Sequence, residues 1–132
     1  MPALPLRARP GPLMLSTGVD IIELERVQHV LDRFGERFLR RVYTDREVAY
    51  CRGRAPELAV RFAAKEAISK ALGTGLNGIL WIEMEILADE RGKPYVELHG
   101  RALTRAQQLG LSEWAVSLSH SDHDAIAFVV AQ

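Results

Sequence analysis

The segment Arg61-Phe62-Ala63-Ala64-Lys65-Glu66-Ala67-Ile68-Ser69-Lys70-Ala71-Leu72-Gly73-Thr74-Gly75 decides how the rest of the chain is read. Its small residues let another surface come close, while Arg61, Lys65 and Ser69 recur every four positions and so share one face of a helix. Pro56 and Glu57 suit a helix's first turn and Gly73 suits a C-terminal stop, which predicts a helix from Pro56 to Gly73. Beyond it lies a glycine-rich loop, Gly73-Thr74-Gly75-Leu76-Asn77-Gly78, after which Ile82, Met84 and Ile86 alternate with Glu83, Glu85 and Leu87 as in a half-buried strand. Asp89-Glu90-Arg91-Gly92 turns the chain into a return strand, Tyr95–His99, and a short helix, Arg101–Leu109, follows. A last hairpin pairs Trp114–Ser119 with Ala125–Val130 through the polar turn His120-Ser121-Asp122-His123-Asp124.

Working toward the N-terminus, Tyr43–Ala55 is a polar connection. Val27, Val30, Leu31, Phe34, Phe38 and Val42 then mark a long helix between Ile21 and Val42, with Gly35 as a candidate break. Leu15–Val19 reads as a short strand. The element order predicts an α+β fold, a single compact domain over residues 15–132 with an antiparallel sheet, one long helix and one helix that carries the chemistry. Residues 1–14, rich in proline, arginine and small residues, are expected to form a flexible tail, and Met14 is a suitable natural start.

At 132 residues the chain suits one domain able to bury a real core, and its 48% apolar and 26% charged residues are ordinary for a globular protein. Seventeen basic and seventeen acidic residues cancel, which argues against a general nucleic-acid binder. No apolar run approaches membrane-spanning length, and no targeting signal is legible. A lone cysteine, Cys51, excludes an intrachain disulfide and suits a reducing, cytoplasmic compartment.

Taken singly, the chemistry-bearing residues each have a plain reading. Asp20, between a strand and a helix, suits a metal ligand, but it also suits a helix N-cap. Glu66 and Lys70 fit an exposed helical ion pair, and the glycine loop fits a helix-ending turn that lacks a Walker pattern. The His120–Asp124 run reads as a turn rather than as a zinc site or hydrolase triad.

In combination they say more. Gly18-Val19-Asp20-Ile21, Phe62-Ala63-Ala64-Lys65-Glu66-Ala67 followed by Lys70-Ala71-Leu72-Gly73-Thr74-Gly75, Gly92-Lys93-Pro94, and Val116-Ser117-Leu118-Ser119-His120 resemble, in order and spacing, the holo-(acyl-carrier-protein) synthase family of phosphopantetheinyl transferases. The match runs from about Thr17 to Val130. The resemblance implies transfer of 4'-phosphopantetheine from coenzyme A to a serine of an apo acyl carrier protein, in support of fatty acid biosynthesis. It also implies that Asp20 and Glu66 are the ligands to magnesium, which takes one or two carboxylates beside substrate phosphates. By the same carry-over Arg61, Ser69, Lys70, Gly73, Thr74, Gly75 and His120 line the coenzyme A site, and Glu66 and Lys70 serve catalysis. The base that receives the serine proton stays open between Glu66 and a water on the ion. The family further implies a homotrimer with active sites at subunit boundaries.

Between Arg26 and Arg54 eight arginines face four acidic residues, so a neutral chain carries a local positive excess. Arg26, Arg33, Arg37 and Arg40 are expected near one helix face, either simply solvated or docked on an acidic partner. The resemblance favours the second and assigns Arg26, Arg33 and Arg37 to acyl carrier protein. The competing classes are a coenzyme A binding module without turnover and an adaptor for an acidic partner; neither explains why Asp20, Glu66 and Lys70 occur together.

Overall fold

The computed structural model describes residues 15–132; the expectations for residues 1–14, tail and start site alike, lie outside them. Strand β1 (Ser16–Glu23) leads into helices α1 (Leu24–Phe34), α2 (Glu36–Val42), α3 (Asp45–Cys51) and α4 (Ala55–Ala71). The hairpin of β2 (Met84–Ala88) and β3 (Pro94–Leu98), helix α5 (Gly100–Gln108), and the hairpin of β4 (Trp114–His120) and β5 (Asp124–Ala131) complete the chain. A three-stranded antiparallel sheet of order β1-β5-β4 and the separate β2-β3 pair give the expected α+β architecture. Among the described residues no helix is long and apolar enough to cross a membrane.

Helix α4 is the spine. Ala63, Ala64, Ala67 and Ala71 are all buried, so the helix axis can settle deep against the sheet. The closest approach is at Gly18, where a Cβ would lie 1.9 Å from the carbonyl oxygen of Ala67. Only glycine fits there. Ser16 reinforces the same contact by donating its hydroxyl to Ala71 O at 2.6 Å. Side chains alternate along β1, so Ser16, Gly18, Asp20 and Ile22 turn toward α4, while Thr17, Val19, Ile21 and Glu23 are exposed.

Three expectations need correction. The strand continues to Glu23, because β5 pairs with it through Glu23↔Asp124, and the first helix begins only at Leu24. Asp20 therefore lies inside a strand opposite Ala127 and caps no helix. The long helix does break at the candidate Gly35, whose φ of 52° a side chain would resist, and it is the shared arginine face that changes: Arg33 and Arg37 lie on different helices rather than on one continuous face. Finally, the polar connection contains α3, opened by a reciprocal capping box between Thr44 and Glu47.

Candidate active site

The register of β1 and the rotation of α4 bring three sequence-distant groups together. Asp20 stands one alternation beyond Gly18 on the face that meets α4, and so it reaches the turn that carries Glu66 and Lys70. Lys70 Nζ donates to Val19 O at 2.9 Å and to Asp20 Oδ1 at 3.2 Å. The ion pair formed is thus Lys70–Asp20 and not the helical Glu66–Lys70 pair. Glu66 is half-buried; burial raises its carboxyl above the usual carboxylate range, the neighbouring Asp20 charge adds to this, and Lys70 works against it. Two carboxylates that disfavour each other's charge, with a cation at their side, form a place where a further positive ion relieves repulsion.

Lys65 has no part in that cluster. Although it repeats with Arg61 and Ser69, it is fully buried, with Nζ donating to Glu47 Oε1 at 2.8 Å, Met84 O at 2.7 Å and Trp81 O at 3.1 Å. Burial pulls the ammonium below the usual lysine range and the Glu47 carboxylate opposes that pull. Glu47 completes the network by accepting from the Ile86 amide at 3.0 Å. This pair fastens α4 to α3 and to the start of β2. Ser69 is also fully buried, and its hydroxyl donates to Glu66 O at 2.7 Å, so it presents no hydroxyl to a ligand here. In the glycine loop, the amides of Gly73 and Gly75 donate to Lys70 O and Ser69 O and close the helix end, while Thr74 Oγ1 donates to Gly75 O at 2.8 Å. The two glycine amides are thereby committed to the helix rather than left facing an anion.

Arg61 and His120 belong to a second location. They line an open cleft of about 310 Å³ together with Tyr50, Glu57, Lys93 and Ser117. Asp20, Glu66 and Lys70 are not among its walls. Arg61 is 2% exposed; its Nη1 donates to Glu57 Oε2 at 2.9 Å, and its Nε has no hydrogen-bond partner among the described residues. A buried guanidinium left partly unsatisfied at a cleft wall is a feature that an anionic ligand would explain. His120 is exposed at the end of β4, and Gly92-Lys93-Pro94 also lines the cleft.

The acidic cluster of Glu85, Glu97 and His99 is a separate feature. Arg46 already spans it, 2.6 Å from Glu85 Oε1 and 3.0 Å from Glu97 Oε2, with His99 Nε2 2.9 Å from Glu85. A guanidinium holds that place, so the cluster ties α3 to the β2-β3 hairpin and is no rival to Asp20 and Glu66 as a metal site.

The arginines divide into two adjoining surfaces. Arg26 lies among Glu25, Gln28, His29 and Asp32, whereas Arg37 and Arg41 flank an apolar hollow formed by Val30, Phe34 and Phe38. Val30 borders both. Arg33 stacks over Phe34, 5.3 Å from the ring centre, and Arg40 is paired with Glu36. Reading the sequence alone missed Tyr50, Glu57 and the Lys65–Glu47 lock. The one legible signal is Thr44-x-x-Glu47, a capping-box pattern that announces a helix within the polar connection.

Residues 16–128 match the family model described as the 4'-phosphopantetheinyl transferase superfamily. A holo-[acyl-carrier-protein] synthase of Herpetosiphon aurantiacus is 52% identical over 124 residues, covering 89% of this chain and 98% of that protein. One from Dehalococcoides mccartyi is 49% identical, covering 90% and 99%. Among solved structures, the holo-[acyl-carrier-protein] synthase of Helicobacter pylori in complex with coenzyme A superposes with a TM-score of 0.81 at 28% identity, over 88% of this chain and 99% of that one. The region that carries Asp20, Glu66, Lys70, Arg61 and His120 falls wholly inside the matched span, and the chain belongs to the 4'-phosphopantetheinyl transferase superfamily.

Proposed function

We propose that this protein is a holo-(acyl-carrier-protein) synthase, transferring 4'-phosphopantetheine from coenzyme A to a serine of an apo acyl carrier protein and releasing adenosine 3',5'-bisphosphate. The observation that carries this reading is the convergence of Asp20, Glu66 and Lys70 at the β1–α4 contact, in a chain about half identical to synthases of that name. The serine oxygen attacks the β-phosphorus while its proton passes to Glu66 or to a water, the bond to the bridging oxygen breaks, and the nucleotide departs with that oxygen. The chemistry needs positioning and charge stabilisation and no protein nucleophile.

Asp20 and Glu66 would hold magnesium, which when bound neutralises charge growing on the pyrophosphate oxygens. The fit rests on the donor set: two adjacent carboxylates, one of them pushed toward its neutral form by burial and further by the charge of the other. Lys70 adds a fixed positive charge at the same point. Arg61, Lys93 and His120 form a basic cleft suited to the donor's remaining phosphate.

The cleft of Arg61 and His120 does not include Asp20, Glu66 or Lys70 among its walls, and a homotrimer would let the cleft of one copy complete the carboxylate pair of the next. The outer sheet face supports the same reading: the cross-strand pairs Val19–Phe128 and Ile21–Ile126 are apolar and exposed. The carrier would dock on the arginine-lined surfaces of α1 and α2, where Arg26 and Arg37 supply attraction for an acidic partner, with Arg33 alongside. A reducing cytoplasmic setting agrees with the single cysteine, Cys51, whose thiol burial raises to about 11. The test is chromatographic: adenosine 3',5'-bisphosphate should accumulate only when protein, coenzyme A, magnesium and apo carrier are all present. Release that does not need the carrier would indicate coenzyme A hydrolysis and contradict the assignment.

A further inference from the structure

The Arg61 cleft contains an aromatic residue to which no role has been given. Tyr50 sits near the end of α3, is 42% exposed, and lines the cleft together with Ser117 and Lys93. Its ring lies under the Arg61 guanidinium at 4.4 Å from the centre, and Arg54 approaches the ring at 5.8 Å. Arg54 also donates to Tyr50 O at 2.7 Å and to Cys51 O at 2.9 Å, which fixes the backbone that carries the ring. No hydrogen bond engages the Tyr50 hydroxyl among the described residues.

The consequence for Arg61 is geometric. Glu57 grips only Nη1, so hydrogen bonding holds the buried guanidinium at one end alone. The aromatic face packed against the plane fixes its tilt and keeps water from that side of the cation, which strengthens its attraction for an anion in the cleft. We propose that Tyr50 is a positioning residue for the donor site: it holds the Arg61 guanidinium flat and partly desolvated so that coenzyme A meets a preorganised cation. This rests on the reading of the Arg61 cleft as part of the coenzyme A site. The essential property is the aromatic face and not the hydroxyl, so phenylalanine should serve and an aliphatic residue of similar bulk should not.

The experiment is calorimetric titration of the full chain with coenzyme A, for the wild type, Tyr50→Leu, Tyr50→Phe, Arg61→Gln and the double variant Tyr50→Leu/Arg61→Gln. Tyr50→Leu should weaken binding about threefold to tenfold, the range of a partly desolvated cation–aromatic contact. Tyr50→Phe should restore the affinity, carrier KM should not move, and the melting curve of Tyr50→Leu should show it folded at the titration temperature. Arg61→Gln should weaken binding at least as much, and adding Tyr50→Leu to it should change nothing further, because the ring acts through the guanidinium. If Arg61→Gln weakens binding but Tyr50→Leu does not, or if the two effects simply add, the role given to Tyr50 is wrong. If Arg61→Gln itself leaves coenzyme A affinity intact, the reading of the cleft fails and the proposal falls with it.

Discussion

Glu66 has the same neighbours whether it is viewed as a helical surface residue or as a ligand, and its position beside Asp20 is what separates the two roles. A solvated glutamate one turn before a lysine would pair with it, yet Lys70 reaches across to Val19 O and Asp20, leaving Glu66 beside a second carboxylate. Glu66→Gln keeps the shape and removes one of two negative charges, so transfer should fall about a hundredfold or more while the melting temperature holds or rises slightly. Chelation of divalent ions should produce the same loss in the wild type, reversed by magnesium. Near-normal turnover of the variant at saturating magnesium would remove Glu66 from the ligand set. Lys65 shows the opposite case, in which a cation that shares a helix face with Arg61 and Ser69 by spacing is a buried lock with Glu47. Period alone cannot tell which face of a helix is inside when both carry cations.

The β1–α4 contact is the element on which the site depends, and Gly18 is its most constrained point. Gly18→Ala would drive a methyl group to within 1.9 Å of Ala67 O, so β1 must shift or α4 must lift. Stability should drop by about 3 kcal/mol or more by thermal or denaturant unfolding, and activity should fall beyond what unfolding explains because Asp20 moves with the strand. A variant with wild-type stability and turnover would mean that the contact is looser than described. The surface of α1 and α2 makes an electrostatic prediction. Arg26→Glu should raise the KM for carrier about tenfold at low salt and leave that for coenzyme A unchanged, and the difference should shrink as ionic strength rises. Equal losses for both substrates would instead indicate damage to the fold. Much of this element structure was legible from the chain: α4, both hairpins and the break at Gly35 follow from periodicity and glycine placement. The start of α1 was not, since Ile21 and Ile22 continue an apolar pattern that either period accepts, and only pairing with β5 settles it as strand. Helix α3 was hidden by its polar residues, whose one signal was the Thr44–Glu47 cap.

At the scale of the whole molecule, the cleft of Arg61 and His120 does not include Asp20, Glu66 or Lys70 among its walls, and an exposed apolar strip runs along the outer face of β1 and β5. The motifs nominate these residues from the sequence, but which of them share a wall was not legible there, because that depends on which strands flank α4. If copies meet on the strip, Phe128→Glu should reduce the sedimenting species to monomer and abolish transfer together, while a monomer that retains full activity would show that each chain is sufficient. The reaction is tested most directly by intact-mass spectrometry of an apo acyl carrier protein after incubation with this protein, coenzyme A and magnesium. The carrier should gain the mass of one phosphopantetheine group, lost again when its acceptor serine is replaced by alanine. A carrier whose mass does not change, with folded protein and saturating coenzyme A and magnesium, would contradict the assignment.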